Sequence, residues 1–156
     1  MIRIDRIDIH IIKCLKENAR INASEIGERV NMSVSAVIER MKKLETSGVI
    51  RQYTVVLDHK KIGKDVSAFI SVSLEHPKHN DKFIDEINKN PEIMECSYVT
   101  GDFDFLLKVI TNSTDTLTEL LNQIKSIPGV SLTRTLVVLS STKNQFSVLP
   151  ELKRKD

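Results

Sequence analysis

Residues 22–47, NASEIGERVNMSVSAVIERMKKLETS, carry two short helical periodicities separated by one reversal, and the second sorts its residues by chemistry. Ile26 and Val30 stand four apart on the first segment. Val34, Val37, Ile38, Met41 and Leu44 recur with the rhythm of one helix face on the second. At ~100° per residue they span an arc of roughly 120°. The spacing predicts that these five clamp the helix to its own domain, with Ala36, Glu39, Arg40 and Lys43 facing away. A helix-turn-helix needs that division, because one face holds the helix in place while the other enters the major groove of duplex DNA.

The punctuation of the segment agrees. Asn22 is placed to cap the first helix, with Glu25 three residues on completing a capping box. Gly27 has no Cβ, which allows the two helices to approach closely. Asn31 sits at the reversal, and Asn tolerates left-handed backbone better than most residues. Ser33 is placed to cap the second helix. An ordinary helical hairpin meets the same local rules, so the surrounding chain has to decide.

The surrounding chain favours a nucleic-acid partner for one half. The formal net charge is only +2, but residues 1–62 hold 12 Lys and Arg against 8 Asp and Glu, while residues 63–150 hold 8 against 11. The basic excess lies with the helix-turn-helix, which suggests a polyanion there. With 40% hydrophobic and 28% charged residues, 156 positions are enough for two small packed domains and exclude a disordered chain. No apolar run approaches the ~20 residues of a membrane helix. The opening MIRIDRIDIHIIK carries acids and no small-residue cleavage pattern, so cytoplasm is the expected location. Cys14 and Cys96 form no paired motif and are expected as buried thiols in a reducing compartment.

A first helix is expected from about Asp5 to Asn18, with Ile4, Ile7, Ile11 and Leu15 inward and Asp5 as its cap. Gly48 ends the third helix. Val49 to Leu57 is β-branched and aromatic and reads as a strand, making the first domain a winged helix-turn-helix over residues 1–64. The next domain, 65–140, repeats. A strand over Val66–Leu74 is followed by a helix near 80–89 with Phe83, Ile84 and Ile87 inward. Strands then run over Ile93–Thr100 and Phe103–Ile110. A helix from about Thr114 to Ser126, capped by Ser113, precedes a last strand over Val130–Leu139. Pro91 and Pro128 stop the helices at matching places. The order βαββαβ predicts an α+β fold of the ferredoxin-like kind, a four-stranded antiparallel sheet with both helices on one face. Its open face shows Ser67, Phe69, Ser71 and Ser73, and Leu136 to Leu139 wants burial on both sides. A second copy packed on that face makes a homodimer and sets two recognition helices toward one duplex. Residues 141–156 form a C-terminal extension whose last six, ELKRKD, are expected to be a loose tail.

Several phrases together resemble the Lrp/AsnC family, the leucine-responsive and asparagine-operon, or feast/famine, regulators. They are Ile4-Asp5-x-x-Asp8 with Ile11-Ile12-x-x-Leu15, the helix end Asn18-Ala19-Arg20, Leu44-Glu45-Thr46-Ser47-Gly48-Val49-Ile50, and Val99-Thr100-Gly101-Asp102-Phe103-Asp104-Phe105-Leu106-Leu107. The resemblance covers about residues 2–140. It implies a transcription regulator that dimerises through its sheet domain, assembles in some members into octamers, and binds a small effector, usually an amino acid, between sheet domains of neighbouring dimers. Carried onto this chain, it places the effector loop at Thr100, Gly101, Asp102 and Asp104.

For DNA, Ser33, Ser35, Ala36, Glu39 and Arg40 fall in the first two turns of the recognition helix. Arg40 suits guanine, Ala36 a thymine methyl and Glu39 the cytosine amino group. Ser33 and Ser35 suit phosphate at the helix N-terminus, and Lys43 and Arg51 suit phosphate clamping. In the effector loop, Gly101 permits unusual backbone angles, and Asp102 or Asp104 suits an α-ammonium group. Two acids in an extended segment would point the same way. No third ligand or base accompanies them, so no catalytic residue and no metal site is expected, and His76-Pro77-Lys78-His79 is a turn. No cofactor is expected beyond the amino-acid effector. An enzyme reading remains, since siroheme decarboxylases resemble this two-domain architecture, but the strands offer only Arg134 for such a cavity. A less specific DNA-wrapping protein is the other alternative.

Overall fold

The computed structural model describes residues 4–151. The described residues divide into two compact units, one running to Val56 and taking in residues 143–151, the other spanning Leu57–Thr142. The first boundary falls eight residues before the expected Lys64, at the end of an apolar segment rather than within the polar connection.

The first unit is built on α1 (Arg6–Glu17), α2 (Ala23–Val30) and α3 (Val34–Thr46). Asp5 caps α1 in a reciprocal box: the Asp8 N–H donates to Asp5 Oδ1 at 2.9 Å and the Asp5 N–H donates to Asp8 Oδ2 at 3.1 Å. Asn22 and Glu25 do the same for α2. Asn31 adopts the left-handed conformation at φ 54°, ψ 51°. A Cβ on Gly27 would stand 2.7 Å from the Met32 carbonyl oxygen. Gly27 therefore admits the turn backbone itself, a closer constraint than the helix–helix approach expected of it. Ile11, Cys14, Leu15, Ile21, Ile26, Val37 and Leu44 form the buried core.

The clamping face of α3 departs from its expected position. Val37 and Leu44 are buried and Met41 half-buried, but Val34 is 44% and Ile38 53% exposed. The buried stripe is rotated toward Arg40, which is half-buried. Residues 51–57 also make no sheet ladder among the described residues, although Val49–Leu57 reads as a strand. A strand needs a neighbour to take its N–H and C=O groups. Here Val55, Val56 and Leu57 stand exposed, and Ile50 is spent on the helix end, its N–H bonded to the Leu44 carbonyl.

The second unit follows the expected βαββαβ order: β1 (Val66–Leu74), α4 (Asn80–Asn88), β2 (Ile93–Tyr98), β3 (Phe105–Thr111), α5 (Thr114–Lys125) and β4 (Val130–Val137). The strands lie in the order β2-β3-β1-β4, all neighbours antiparallel. Alternation along β1 sends Ala68, Ile70 and Val72 to one face, where they meet Phe83 and Ile87 of α4 and Leu117, Leu120 and Ile124 of α5. Ile84, expected inward, lies at the rim of α4 and is exposed. Ser113 caps α5 as expected. The opposite sheet face carries Phe69, Leu132 and Leu136, the last two 56% and 60% exposed. Cys14 is buried, whereas Cys96, expected to be buried, is exposed on β2. Of the expected loose tail 151–156, residues 152–156 lie outside the described residues.

Candidate nucleic-acid interface and effector loop

The N-terminal half of α3 begins at Ser33, whose Oγ accepts from the Ala36 N–H at 3.3 Å and lies 3.2 Å from the Ser35 hydroxyl. Ser33, Ser35, Glu39 and Lys43 are exposed, and Ala36 is half-buried at the edge of the helix. Among the described residues, Glu39, Lys42 and Lys43 enter no ion pair. Arg51 is exposed beyond the end of α3. Lys42 is exposed and belongs to the same outward face. It is three residues after Glu39 and seven after Ser35, so the helical rhythm alone places it there.

Arg40 corrects the sequence reading. Its Nη1 donates to Asp5 Oδ2 at 2.8 Å and to Asp8 Oδ1 at 2.7 Å. The Arg40 side chain is 27% exposed and that of Asp8 only 5%. The guanidinium is turned to α1 and does not project with Glu39 and Lys43. Hydrogen bonds to the two carboxylates raise its pKa further. At Asp5, burial pushes the carboxyl up, but the Asp8 N–H and the Arg40 guanidinium outweigh it, and the group titrates below its ordinary 3.8. The Asp5–Asp8 box thus caps α1 and fixes α3 against it through one arginine. At the other end of α3, the Tyr53 hydroxyl donates to Glu45 Oε1 at 2.8 Å. Burial and that carboxylate push the phenol up to about 12.

The loop expected to meet an effector is a turn between β2 and β3. Gly101 takes φ 115° and, with Thr100 and Asp102, is exposed. The expected parallel aim of Asp102 and Asp104 is not found, because residues 101–104 bend instead of running extended. Asp104 is half-buried, and its Oδ2 accepts the Leu74 N–H at 2.7 Å, while its own N–H bonds to the Val72 carbonyl at 3.0 Å. It staples the loop to the end of β1. Asp102 remains in solvent, its carbonyl accepting from the Ser73 hydroxyl at 3.3 Å. Arg134 of β4 lies over the Phe103 ring, 5.4 Å from its centroid. In the histidine-bearing turn, His76 Nδ1 accepts from the Lys78 N–H, and no group of three or more metal-ligating side chains occurs among the described residues.

Comparison with known proteins agrees with this geometry. The Lrp/AsnC ligand binding domain matches residues 67–148 and a winged helix-turn-helix DNA-binding domain matches residues 4–51. The chain is 36% identical over 140 residues to the HTH-type transcriptional regulator FL11 of Pyrococcus horikoshii, covering 90% of this chain and 92% of that protein. It is 34% identical over 143 residues to the leucine-responsive regulatory protein of Escherichia coli K12, covering 90% and 87%. Among solved structures, a transcriptional regulator of Neisseria meningitidis in complex with L-Met superposes with a TM-score of 0.89 at 31% identity, over 94% of this chain and 96% of that one. The helix-turn-helix, the sheet domain and their order along the chain therefore have one account: the chain belongs to the Lrp/AsnC family of transcriptional regulators, with a DNA-binding helix-turn-helix domain and a ligand-binding domain.

Proposed function

We propose that the outward face of α3 reads a specific duplex sequence. Ser35, Ala36 and Glu39 approach the base edges, Ser33 meets phosphate at the helix N-terminus, and Lys42, Lys43 and Arg51 clamp the backbone. Arg40 acts as a positioning residue that sets the angle of α3. The observation that carries this reading is the division of α3: Val37 and Leu44 are sealed in the core while Ser35, Glu39, Lys42 and Lys43 stand in solvent. The test is fluorescence anisotropy with the full chain on duplexes selected from a randomised library, against random duplex at the same stated salt. Specific duplex is expected to bind about 10³-fold or more tighter, with an affinity that falls as salt rises. Equal affinity for both duplexes would leave only the DNA-wrapping reading.

The sheet domain is proposed to pair with a second copy across Phe69, Leu132 and Leu136, whose exposure on a sheet face is the usual mark of an interface. Octamers follow if such dimers associate further. At the loop, Thr100, Gly101 and Asp102 are proposed to meet an amino-acid effector, with Asp104 holding the loop in shape. The Neisseria regulator's L-Met complex supports an amino acid as the class of ligand. Thermal unfolding with each of the twenty amino acids tests this, since a ligand bound only to the native state raises the melting temperature by mass action. A cytoplasmic location is proposed on the same reading; no helix among the described residues is long and apolar enough to cross a membrane.

A further inference from the structure

Val34 and Ile38 are the exposed aliphatic residues of α3's N-terminal half, and they stand one turn apart on the same flank. Neighbours four apart on a helix bring their Cβ atoms to about 6 Å, so the two make one short apolar strip beside the polar row of Ser35, Glu39 and Lys42. Both are β-branched and stiff at χ1, so ordering them on a surface costs little rotamer freedom. In the major groove the base edges present donors, acceptors and one aliphatic group, the C5-methyl of thymine. An aliphatic strip entering that groove has no other apolar counterpart on the bases. The engagement of Arg40 with Asp5 and Asp8 also removes the side chain best suited to guanine from the face.

We infer that Ile38, with Val34 beside it, reads thymine methyl groups, making it a specificity-determining residue of the recognition helix. This rests on the proposed role of α3 in specific duplex binding. The experiment uses the full chain and the best duplex from the randomised selection. Each thymine in turn is replaced by deoxyuridine, which removes the methyl and leaves every hydrogen-bonding group in place. Affinities are measured for the wild type and for Ile38→Ala, and Val34→Ala is run in parallel. One or two thymines per half-site are expected to lose about fourfold in affinity on demethylation with the wild type, the worth of one buried methyl. Ile38→Ala is expected to bind the intact duplex several-fold more weakly and to be indifferent to uracil at those positions. The inference is overturned if no uracil matters, if uracil costs wild type and Ile38→Ala equally, or if the selected half-site has no thymine. A selection that yields no preferred duplex overturns it together with the specific-binding reading, whereas the other outcomes leave that reading standing. Ile38 is exposed, and alanine is the better helix former, so folding does not confound the comparison.

Discussion

Arg40→Ala is expected to cost the helix-turn-helix domain stability before it costs sequence discrimination. In the native structure one nitrogen holds two carboxylates, and their surroundings differ. The Asp5 side chain is about half in solvent, so that pair contributes no more than an ordinary surface ion pair, ~0–1 kcal/mol. Asp8 is buried, and removing the only cation paired with it among the described residues leaves a carboxylate with one remaining N–H partner. Removing one member of a fully buried pair costs about 3–5 kcal/mol. Arg40 itself reaches solvent, which lowers the figure, and a loss of about 2 kcal/mol results. For a domain of this size that is roughly a 10 °C drop in melting temperature.

The assay is scanning calorimetry of the full chain with Arg40→Ala, Asp8→Asn and the double variant, because residues in direct contact should show a coupling energy. The pH dependence has a definite sign. The Asp5 carboxyl is depressed in the folded state, so its contribution is complete above the ordinary 3.8 and disappears as pH falls through the lower folded value. Arg40→Ala should weaken that acid sensitivity. On DNA, the folded variant is expected to lose discrimination modestly at several base positions together, because the rotation of α3 is no longer tied to α1, and not at one position alone. If Arg40→Ala melts with the wild type and instead relaxes one base position, the ion-pair reasoning is refuted and Arg40 is a base reader after all.

Gly27→Ala is expected to destabilise the same domain by about 1–3 kcal/mol, because its Cβ meets a backbone carbonyl that has little room to move; denaturant unfolding checks it. Asn31→Gly should be nearly neutral, whereas Asn31→Val should cost about 1–2 kcal/mol for forcing a β-branched residue into left-handed backbone. Asp104→Ala removes a charge-assisted bond to the Leu74 N–H and should cost about 1.5–3 kcal/mol in the sheet domain, seen by thermal melting without added effector. Leu136→Asp should leave the sheet domain folded and shift the protein toward monomer in sedimentation velocity, and an unchanged mass would move the interface elsewhere.

The elements were legible because their signals are local. The Asn22–Glu25 box, the left-handed Asn31 and the Ser113 cap are matters of a few neighbouring residues, and the structure has them where the sequence puts them. The alternation on β1 likewise fixed which residues face the helices. What was not legible depends on partners distant in sequence. Val49–Leu57 has strand composition, but composition cannot supply a neighbouring strand. Asp104 reads as a partner for an α-ammonium group because Leu74, thirty residues away, is invisible to a reading of the loop. The wheel of α3 was placed by its five aliphatic residues alone. That weighting centred the buried face between Val37 and Ile38, when the actual face runs from Val37 and Leu44 toward Arg40. A long arginine whose stem packs and whose head finds two acids behaves as part of the clamp, and hydropathy scores it as surface.

This error of angle has a functional consequence. Successive residues on a helix differ by ~100°, so the residues that hold α3 and those that read from it are interleaved along the chain. Arg40 follows Glu39 directly and faces inward, while Ile38 follows Val37 directly and faces outward. The core residues Val37 and Leu44 hold α3 against the domain by close packing. The Arg40 fork to Asp5 and Asp8 is directional, and it ties the rotation of α3 to the capped end of α1. The acids near the start of the chain are therefore part of what determines which side chains of α3 are presented outward, although neither belongs to the outward face of α3.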